Sequence, residues 1–465
     1  MVFSSLLFLF FFFLITLLVY FLLPKRFRNV WLFITSILFY GYGEPIFLLL
    51  LFASISLNYA AGILIGKFMD KPKEKKQVLV GCVVINLSLL GFFKYTGLLV
   101  SSLKAIPVFS FLPVPEIALP IGISFYTFQA MSYVIDVYRG NCAPQRNYIL
   151  FGTYVSLFPQ LIAGPIVRYV DVEEQLQNRQ ESKEKFTQGV KLFLVGLAKK
   201  VLLANAMGEL WTPLKAAGAE AGLLGVWVGI IAFALQIYFD FSGYSDMARG
   251  LGRMFGFDFV KNFNYPYISR SITEFWRRWH ISLGTWFREY VYIPLGGNRV
   301  GKLRLCLNLF IVWGLTGLWH GASWNFLLWG LLFGILLTIE KFFLLDKLQK
   351  APKAIGHIYT ILFVLCSWVI FDFTTLGEIG QYFAGMFTLN HGLFSSQSAY
   401  LPFSYLPLLM IAVFACLPVG KTYYPKLENR KYGWLAESAL AFLVLLLCTA
   451  SLIRSTYNPF LYFRF

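Results

Sequence analysis

The chain has 465 residues, of which 58% are hydrophobic, 19% aromatic and only 14% charged. A soluble domain carries about a quarter charged residues, so this composition excludes an ordinary soluble protein. The formal net charge of +17 does not indicate nucleic-acid binding, because the basic residues lie between apolar runs. In that position Lys and Arg mark cytoplasmic loops and meet anionic membrane lipid. We therefore predict a multi-pass membrane protein with no nucleic-acid partner.

Apolar stretches of near-spanning length recur along the whole chain, and a membrane span needs about 20 such residues. They predict an all-α polytopic transmembrane bundle of about 11–12 spans with additional re-entrant and interfacial helices. No linker separates a soluble domain, so we expect one domain over residues 1–465. The candidate spans are 1–23, 30–43, 45–66, 77–100, 118–138, 187–209, 222–247, 305–323, 326–345, 354–373, 400–419 and 433–453.

The first apolar stretch is expected to be a membrane span and not a cleaved signal peptide. It has no basic residue before it and no small-residue cleavage site, and its positive charge follows at Lys25, Arg26 and Arg28. This order of apolar run and positive charge predicts an N-terminus on the outer side of a bacterial cytoplasmic membrane.

Three stretches do not fit simple spans. Residues 147–167 contain Pro159, Gly164 and Pro165, which predicts a re-entrant segment. The backbone N–H and C=O groups of such a segment must form hydrogen bonds within the protein, because lipid offers none. Residues 168–186 mix acidic and basic residues, as a cytoplasmic surface helix does. Residues 248–304 carry ten Lys and Arg interleaved with aromatic residues, so we expect them to lie at the cytoplasmic face of the bundle.

The six cysteines are scattered among the apolar runs and form neither a CxxC pair nor a His/Cys ligand pattern. We therefore expect small buried side chains, with no disulfide framework, no metal site and no bound cofactor.

His320 is the strongest candidate for chemistry, because the chain has only four histidines and this one lies in an apolar run. It lies roughly 22 Å along a helix that starts near Leu305, past the middle of the bilayer. A buried imidazole is neutral, as a general base or an acyl-accepting nucleophile requires. The structural alternative is a histidine that hydrogen-bonds between helices.

His280 follows Trp276, Arg277, Arg278 and Trp279 in a segment whose start, at Ser271, has the pattern of a helix N-terminus. Trp beside Arg is also an ordinary membrane-interface anchor, so that interpretation stays open. In the functional interpretation the arginines neutralise the phosphates of a nucleotide-type donor or of a carrier's prosthetic group.

Asp240 and Asp246 lie six residues apart in another apolar helix, so they do not share one helix face. An uncompensated carboxylate there is costly. We expect Asp240 or Asp246 to pair with an arginine of the 249–304 block.

Five motifs together resemble the membrane-bound O-acyltransferase (MBOAT) family, in its bacterial branch. That branch contains the alginate O-acetylation membrane protein, polysaccharide and peptidoglycan O-acetyltransferases and the protein that passes D-alanine to teichoic acids. The motifs are DFSGYSD at 240–246, NFNYPY at 262–267, EFWRRWHISL at 274–283, YIPLGGNR at 292–299 and GLWHG at 317–321.

The resemblance covers about 230–330 by motif and implies a helical bundle with a central tunnel. It implies that His320 is the catalytic residue and His280 the second signature residue, with the donor bound from the cytoplasm and the acceptor from outside. Arg277, Arg278, Trp279 and Trp319, with Asp240 and Asp246, complete the set that we expect to bind donor or substrate.

These expectations combine into a membrane O-acetyltransferase that uses acetyl-CoA or another acyl thioester as donor and a polysaccharide hydroxyl as acceptor. A periplasmic acetyltransferase partner and a cytoplasmic acyl carrier are expected as further partners, beside membrane lipid. Two alternatives remain: D-alanyl transfer to teichoic acid from a carrier protein, and a transporter of polymer or acyl donor. Transporters often contain inverted repeats and paired broken helices, neither of which is evident in this sequence.

Overall fold

The computed structural model of the chain describes residues 1–162, 164–395, 399–428, 431–455, 458, 460 and 461. Within those ranges all regular structure is helical, which confirms the all-α prediction. The chain forms two compact units: residues 1–193 with 245–260, and residues 194–244 with 261–465. The expectation of one functional domain over residues 1–465 stays a prediction.

In the part of the chain that the structure describes, seven helices are long and apolar enough to cross a membrane, and each coincides with one of the predicted spans. The other five predicted spans are largely helical but are not long and apolar enough to count among these seven, so the polytopic helical architecture is confirmed and the number of 11–12 spans stays a prediction. The seven helices are Leu48–Lys67, Pro72–Lys104, Leu223–Met254, Lys302–His320, Trp324–Lys350, Lys353–Asp372 and Gly433–Arg454.

The first unit contains most of the N-terminal helices. Its remaining elements are Phe8–Leu22, Lys25–Gly43, Ile123–Arg139, Tyr148–Ser156, Phe158–Leu161 and Tyr169–Asn178, with the beginning of Lys183–Ala198 and the end of Leu223–Met254.

The predicted re-entrant segment folds into two short helices that break at Leu157. Residues 151–162 are all buried in this unit, and the Phe158 amide donates a hydrogen bond to Ser36 Oγ at 3.0 Å. Protein surrounds this part of the segment, as a re-entrant path requires. Ala163, which belongs to the predicted segment, lies outside the described residues.

The prediction of a single surface helix over 168–186 is wrong in its extent. The helix ends at Asn178, and a second helix begins at Lys183. Arg179 is extended because its buried guanidinium donates to Tyr20 Oη at 2.9 Å and to Asn29 Oδ1 at 2.5 Å. These tertiary contacts turn the chain away from the helical path.

The second unit contains the candidate site. Beside the long helices it has Asn205–Ala217, Ile272–Arg278, Ile281–Phe287, Leu376–Phe387, Tyr400–Ser404, Leu406–Ala415 and Val419–Glu428. Residues 248–304 contain no helix of spanning length beyond Met254, as predicted.

A tight helical hairpin positions His320. The helix Lys302–His320 packs along Trp324–Ile339, and Gly317 and Gly330 face each other across the contact. A Cβ at Gly317 would collide with the backbone carbonyl of Phe326, and one at Gly330 with the carbonyl of Trp313. The two backbones are therefore close because neither carries a side chain at the contact.

We expect Gly317→Ala to destabilise the protein by about 1–3 kcal/mol, because the new methyl group meets backbone that cannot rotate away. Gly314→Ala is the matched control on the same helix, since its Cβ would meet only Leu327 Cδ1, at 4.0 Å. Thermal unfolding of both variants in detergent measures the difference. Equal melting temperatures would contradict the close backbone contact.

Candidate active site

His320 is the last residue of the helix Lys302–His320 and is buried. Its Nδ1 lies 2.8 Å from the carbonyl oxygen of Thr316, one helical turn back. A carbonyl oxygen only accepts hydrogen bonds, so Nδ1 must be the protonated nitrogen. This contact fixes the tautomer and leaves the basic lone pair on Nε2.

Aromatic rings surround the His320 imidazole. The centroid of the Trp329 ring lies 4.9 Å away at an interplanar angle of 64°, and that of Phe371 lies 5.7 Å away at 76°. The His280 ring lies 6.5 Å away at an interplanar angle of 89°. The fold therefore brings together the two histidines that the sequence singled out, although they are forty residues apart.

His280 has a left-handed backbone conformation, with φ at 45°, and precedes the helix Ile281–Phe287. Such a conformation is unfavourable for a residue with a side chain and persists only when its surroundings impose it. Asn262 supplies that constraint: its carbonyl accepts from the Ile281 amide at 2.9 Å, and its side-chain oxygen accepts from the amide and hydroxyl of Ser282.

The His280 ring is buried and packs edge-on against Phe241 at 4.7 Å and Trp319 at 5.7 Å. Burial, with a smaller contribution from His320, lowers the pKa of His280 well below its usual value. His280 is therefore neutral at physiological pH. Trp319 is also buried, so its ring contacts His280 as part of the packed site.

The short helix Ile272–Arg278, which leads into His280, is held at its start by Glu340. This fully buried carboxylate accepts from the amides of Ile272 at 2.6 Å and Thr273 at 2.8 Å, and from the Thr273 hydroxyl at 2.6 Å. Ser271 caps the helix through the Glu274 amide at 3.0 Å, as its sequence pattern predicted. Sequence reasoning missed Glu340 because it follows a long apolar run far from the motifs.

The two arginines of this helix differ in their surroundings. Arg278 forms an ion pair with Glu274 at 2.9 Å and donates to the Asn264 carbonyl at 3.1 Å, so it holds the local chain. Arg277 is exposed and lines an open cavity, and it has no ion pair among the described residues. The structure thus separates two residues that the sequence placed in one donor-binding role.

Trp276 and Trp279 pack into the interior of this unit. This packing disfavours the alternative in which they anchor the segment at a membrane surface. Trp276 contacts the rings of Trp313 at 4.5 Å and Phe333 at 4.9 Å on the hairpin. Trp279 stacks on Phe275 at 5.5 Å and contacts the tilted ring of Trp368 at 5.1 Å. Both rings fix the segment against the core, and the predicted donor contact of Trp279 stays a prediction.

Asp240 and Asp246 have different partners. Asp246 pairs with Arg249 at 3.3 Å in the first unit, which confirms the predicted pairing with an arginine of the 249–304 block. Asp240 instead pairs with Lys200 at 2.7 Å, with both side chains 3% exposed, and accepts from the Leu461 amide at 2.8 Å. Lys200 lies inside the predicted span 187–209, where its charge was the signal that sequence reasoning overlooked.

Comparison with known proteins decides the family. The model of the membrane-bound O-acyltransferase family matches residues 143–376, which are about half of the chain and include both histidines. The chain belongs to the membrane-bound O-acyltransferase family. It is therefore a multi-pass membrane enzyme, an O-acyltransferase, as the motifs predicted.

Relatives in this family are similar over the full chain or over about half of it. A probable alginate O-acetylase of Azotobacter vinelandii is 40% identical over all of both chains. A peptidoglycan O-acetyltransferase of Helicobacter pylori is 31% identical over all of this chain and 98% of its own. A teichoic acid D-alanyltransferase of Streptococcus thermophilus is 32% identical over 54% of this chain and 68% of its own.

A buried ion pair should make Lys200 indispensable for stability. We expect Lys200→Met to cost about 3–5 kcal/mol, because it leaves the Asp240 carboxylate buried without its cation. The double variant Lys200→Met/Asp240→Leu should recover most of that loss and retain transferase activity. Unfolding in detergent and acetate transfer measure the two effects, and an inactive but stable double variant would instead assign Asp240 a role in substrate binding.

The lowered pKa of His280 makes stability depend on pH. The unfolded chain takes up a proton near pH 6.5, whereas the folded protein resists it. The contribution of neutral His280 is thus complete above pH 6.5 and is lost as the pH falls. We expect His280→Gln to flatten the decrease of melting temperature between pH 7.5 and pH 5.5, and an unchanged slope would contradict this assignment.

Proposed function

We propose that the protein transfers an acetyl group from a cytoplasmic thioester to a hydroxyl group of an extracytoplasmic polysaccharide. The observation that carries the proposal is the His320 tautomer, since Nδ1 donates to Thr316 and Nε2 keeps the lone pair. Full-length similarity to proteins named alginate O-acetylase and peptidoglycan O-acetyltransferase supports the acetyl group and the polysaccharide acceptor.

In the proposed reaction, Nε2 of His320 takes the proton of the acceptor hydroxyl as its oxygen attacks the thioester carbonyl carbon. The carbon–sulfur bond then breaks, and the leaving thiolate takes the proton back from the imidazolium. The products are an acetyl ester and a free thiol. We expect His280, whose ring lies beside that of His320, to act on the donor side of this reaction.

Nε2 of His320 is also the nitrogen that would carry the acetyl group in a two-step route. Mass spectrometry of protein incubated with acetyl-CoA and no acceptor distinguishes the routes. Acetyl-histidine at His320 indicates the two-step route, and donor that stays intact indicates direct transfer.

The acceptor hydroxyl belongs either to the polymer itself or to a periplasmic acetyltransferase partner that completes the transfer. We place the protein in a bacterial cytoplasmic membrane, with its basic connections inside. No tightly bound cofactor is required, because the thioester is a substrate. Acetyl-CoA is the expected donor, and a cytoplasmic acyl carrier is the alternative source.

D-alanyl transfer is a weaker candidate. The relatives named teichoic acid D-alanyltransferase are similar over about half of this chain, whereas two relatives named probable alginate O-acetylase match all of it. A transporter without bond chemistry is not favoured by membership of an acyltransferase family.

We expect His320→Ala to lower envelope acetylation by about 100-fold or more, because it removes the general base. Alkali-released acetate is measured in a deletion strain that carries wild-type or variant protein at equal membrane levels. His391→Ala is the matched control, an exposed histidine in a turn outside the site.

The two possible failures of this experiment have different meanings. Full acetylation by the His320→Ala protein would refute the role of His320. No change in acetate on deletion or rescue would refute acetyl transfer, and D-alanyl ester released from the same samples would then assign the other reaction.

A further inference from the structure

Trp329 presents a buried hydrogen-bond donor beside His320. Its side chain is 1% exposed, and its ring centroid lies 4.9 Å from that of the imidazole. Within the described ranges of the chain, the indole N–H has no hydrogen-bond partner. An indole N–H only donates, and a buried tryptophan usually finds an acceptor for it. A buried N–H without an acceptor therefore needs an explanation.

Packing alone does not require this N–H. The Trp329 ring lies among other aromatic rings, with Phe333 and Phe371 each at 5.2 Å and Trp276 at 5.6 Å. A phenylalanine ring would also suit such an apolar position, and it would not bury an unpaired donor. The indole thus brings a polar group to the side of His320 at the expense of stability. A local violation of this kind is expected at a functional site.

The start of the helix that carries Trp329 is fixed by hydrogen bonds. In the first turn of this helix, Trp324–Ile339, the buried Asn325 amide donates to the carbonyl oxygens of Ile370 and Phe371, at 3.1 Å each. Asn325 and Trp329 are four residues apart, so they lie on the same face of the helix. The face that carries the indole is therefore held against the neighbouring helix.

Close packing holds the indole itself beside His320. The next residue, Gly330, brings the two helix backbones of the hairpin together, because a Cβ there would collide with the Trp313 carbonyl oxygen. Trp368 stacks on the Trp329 ring, with the centroids 6.2 Å apart and an interplanar angle of 23°. The donor thus has a fixed position before substrate binds, and it does not need to reorient when negative charge develops beside it.

Acyl transfer develops such a charge on the carbonyl oxygen. When the acceptor oxygen attacks the carbonyl carbon, a carbon–oxygen bond forms, the π electron pair moves to the carbonyl oxygen, and the acceptor proton passes to Nε2 of His320. The carbonyl double bond then forms again, the carbon–sulfur bond breaks, and the thiolate takes the proton from the imidazolium. A buried N–H donor to the negative oxygen stabilises the tetrahedral intermediate. If Nε2 itself attacks, the same oxygen carries the charge.

We infer that the Trp329 indole N–H donates a hydrogen bond to the carbonyl oxygen of the acyl group during transfer, which makes Trp329 a catalytic residue beside His320. The inference rests on the proposed function and deepens it, because it assigns the group that stabilises the oxyanion. It concerns the acyl carbonyl alone, so it holds for any thioester donor.

Replacement of the indole nitrogen by sulfur tests the inference and keeps the shape of the ring. Benzothienylalanine is incorporated at position 329 of the full-length protein, which is assayed in inverted membrane vesicles of the deletion strain. Acetyl-CoA is the donor, and polymer-bound acetate is released by alkali and measured. The kcat should fall about 100–1,000-fold, as on removal of one oxyanion donor. The KM for acetyl-CoA should stay unchanged, because the interaction is made only in the transition state.

Trp368 provides the matched control. It is also 1% exposed, and in the part of the chain that the structure describes its ring contacts those of Trp279, Trp329 and Phe371 but not that of His320. Benzothienylalanine at position 368 should leave kcat at the wild-type value. Trp329→Phe, which also removes the N–H, should lower kcat as strongly as benzothienylalanine at position 329 does.

Three results would overturn the inference: wild-type kcat with benzothienylalanine at position 329, a raised KM with unchanged kcat, or equal losses at positions 329 and 368. The last result would assign both indoles a packing role. If wild-type protein transfers no acetyl group from any thioester, the proposed function fails and the inference falls with it. If His320→Ala abolishes transfer and the sulfur replacement at position 329 does not reduce it, the inference alone fails.

Discussion

The close approach of two helix backbones at Gly317 and Gly330 is the constraint on which the site depends. In a bilayer there is no hydrophobic gain from bringing helices together, so close packing and buried hydrogen bonds must fix their positions. The hairpin from Lys302 to Ile339 uses both glycines, and His320 ends its first helix. Without this contact the imidazole would have no fixed place among the aromatic rings.

The second half of the site is built differently. His280 lies on an irregular connection, where no regular helix imposes its orientation. Three polar groups take over that role, of which Asn262 and Glu340 are buried and His357 is half-buried. Asn262 holds the residues after His280, Glu340 holds the start of the preceding helix, and His357 holds the turn before it. Because these polar groups are hydrogen-bonded, removing them from solvent does not destabilise the fold. Their hydrogen bonds instead stabilise one arrangement of the connection.

The two arginines beside this connection show how one sequence motif divides into two roles. Arg277 and Arg278 are adjacent, so on a helix they point in directions about 100° apart. Glu274, one turn back, takes Arg278 into an ion pair that also fixes Asn264. Arg277 is left facing the cavity with Arg270. Helical geometry thus separates a cation that holds the local chain from one that is exposed at the cavity.

The sequence by itself determined the membrane class, the helical architecture, the family and the two histidines. Apolar length decides which segments are helical in lipid, and a histidine in such a segment is rare enough to be noticed. Only the tertiary structure decided what these residues contact. The Asp240 partner proved to be Lys200, and the helix at 169–178 ended early because Arg179 binds Tyr20 and Asn29. Such partners are distant in sequence and carry no local periodicity, so packing alone selects them.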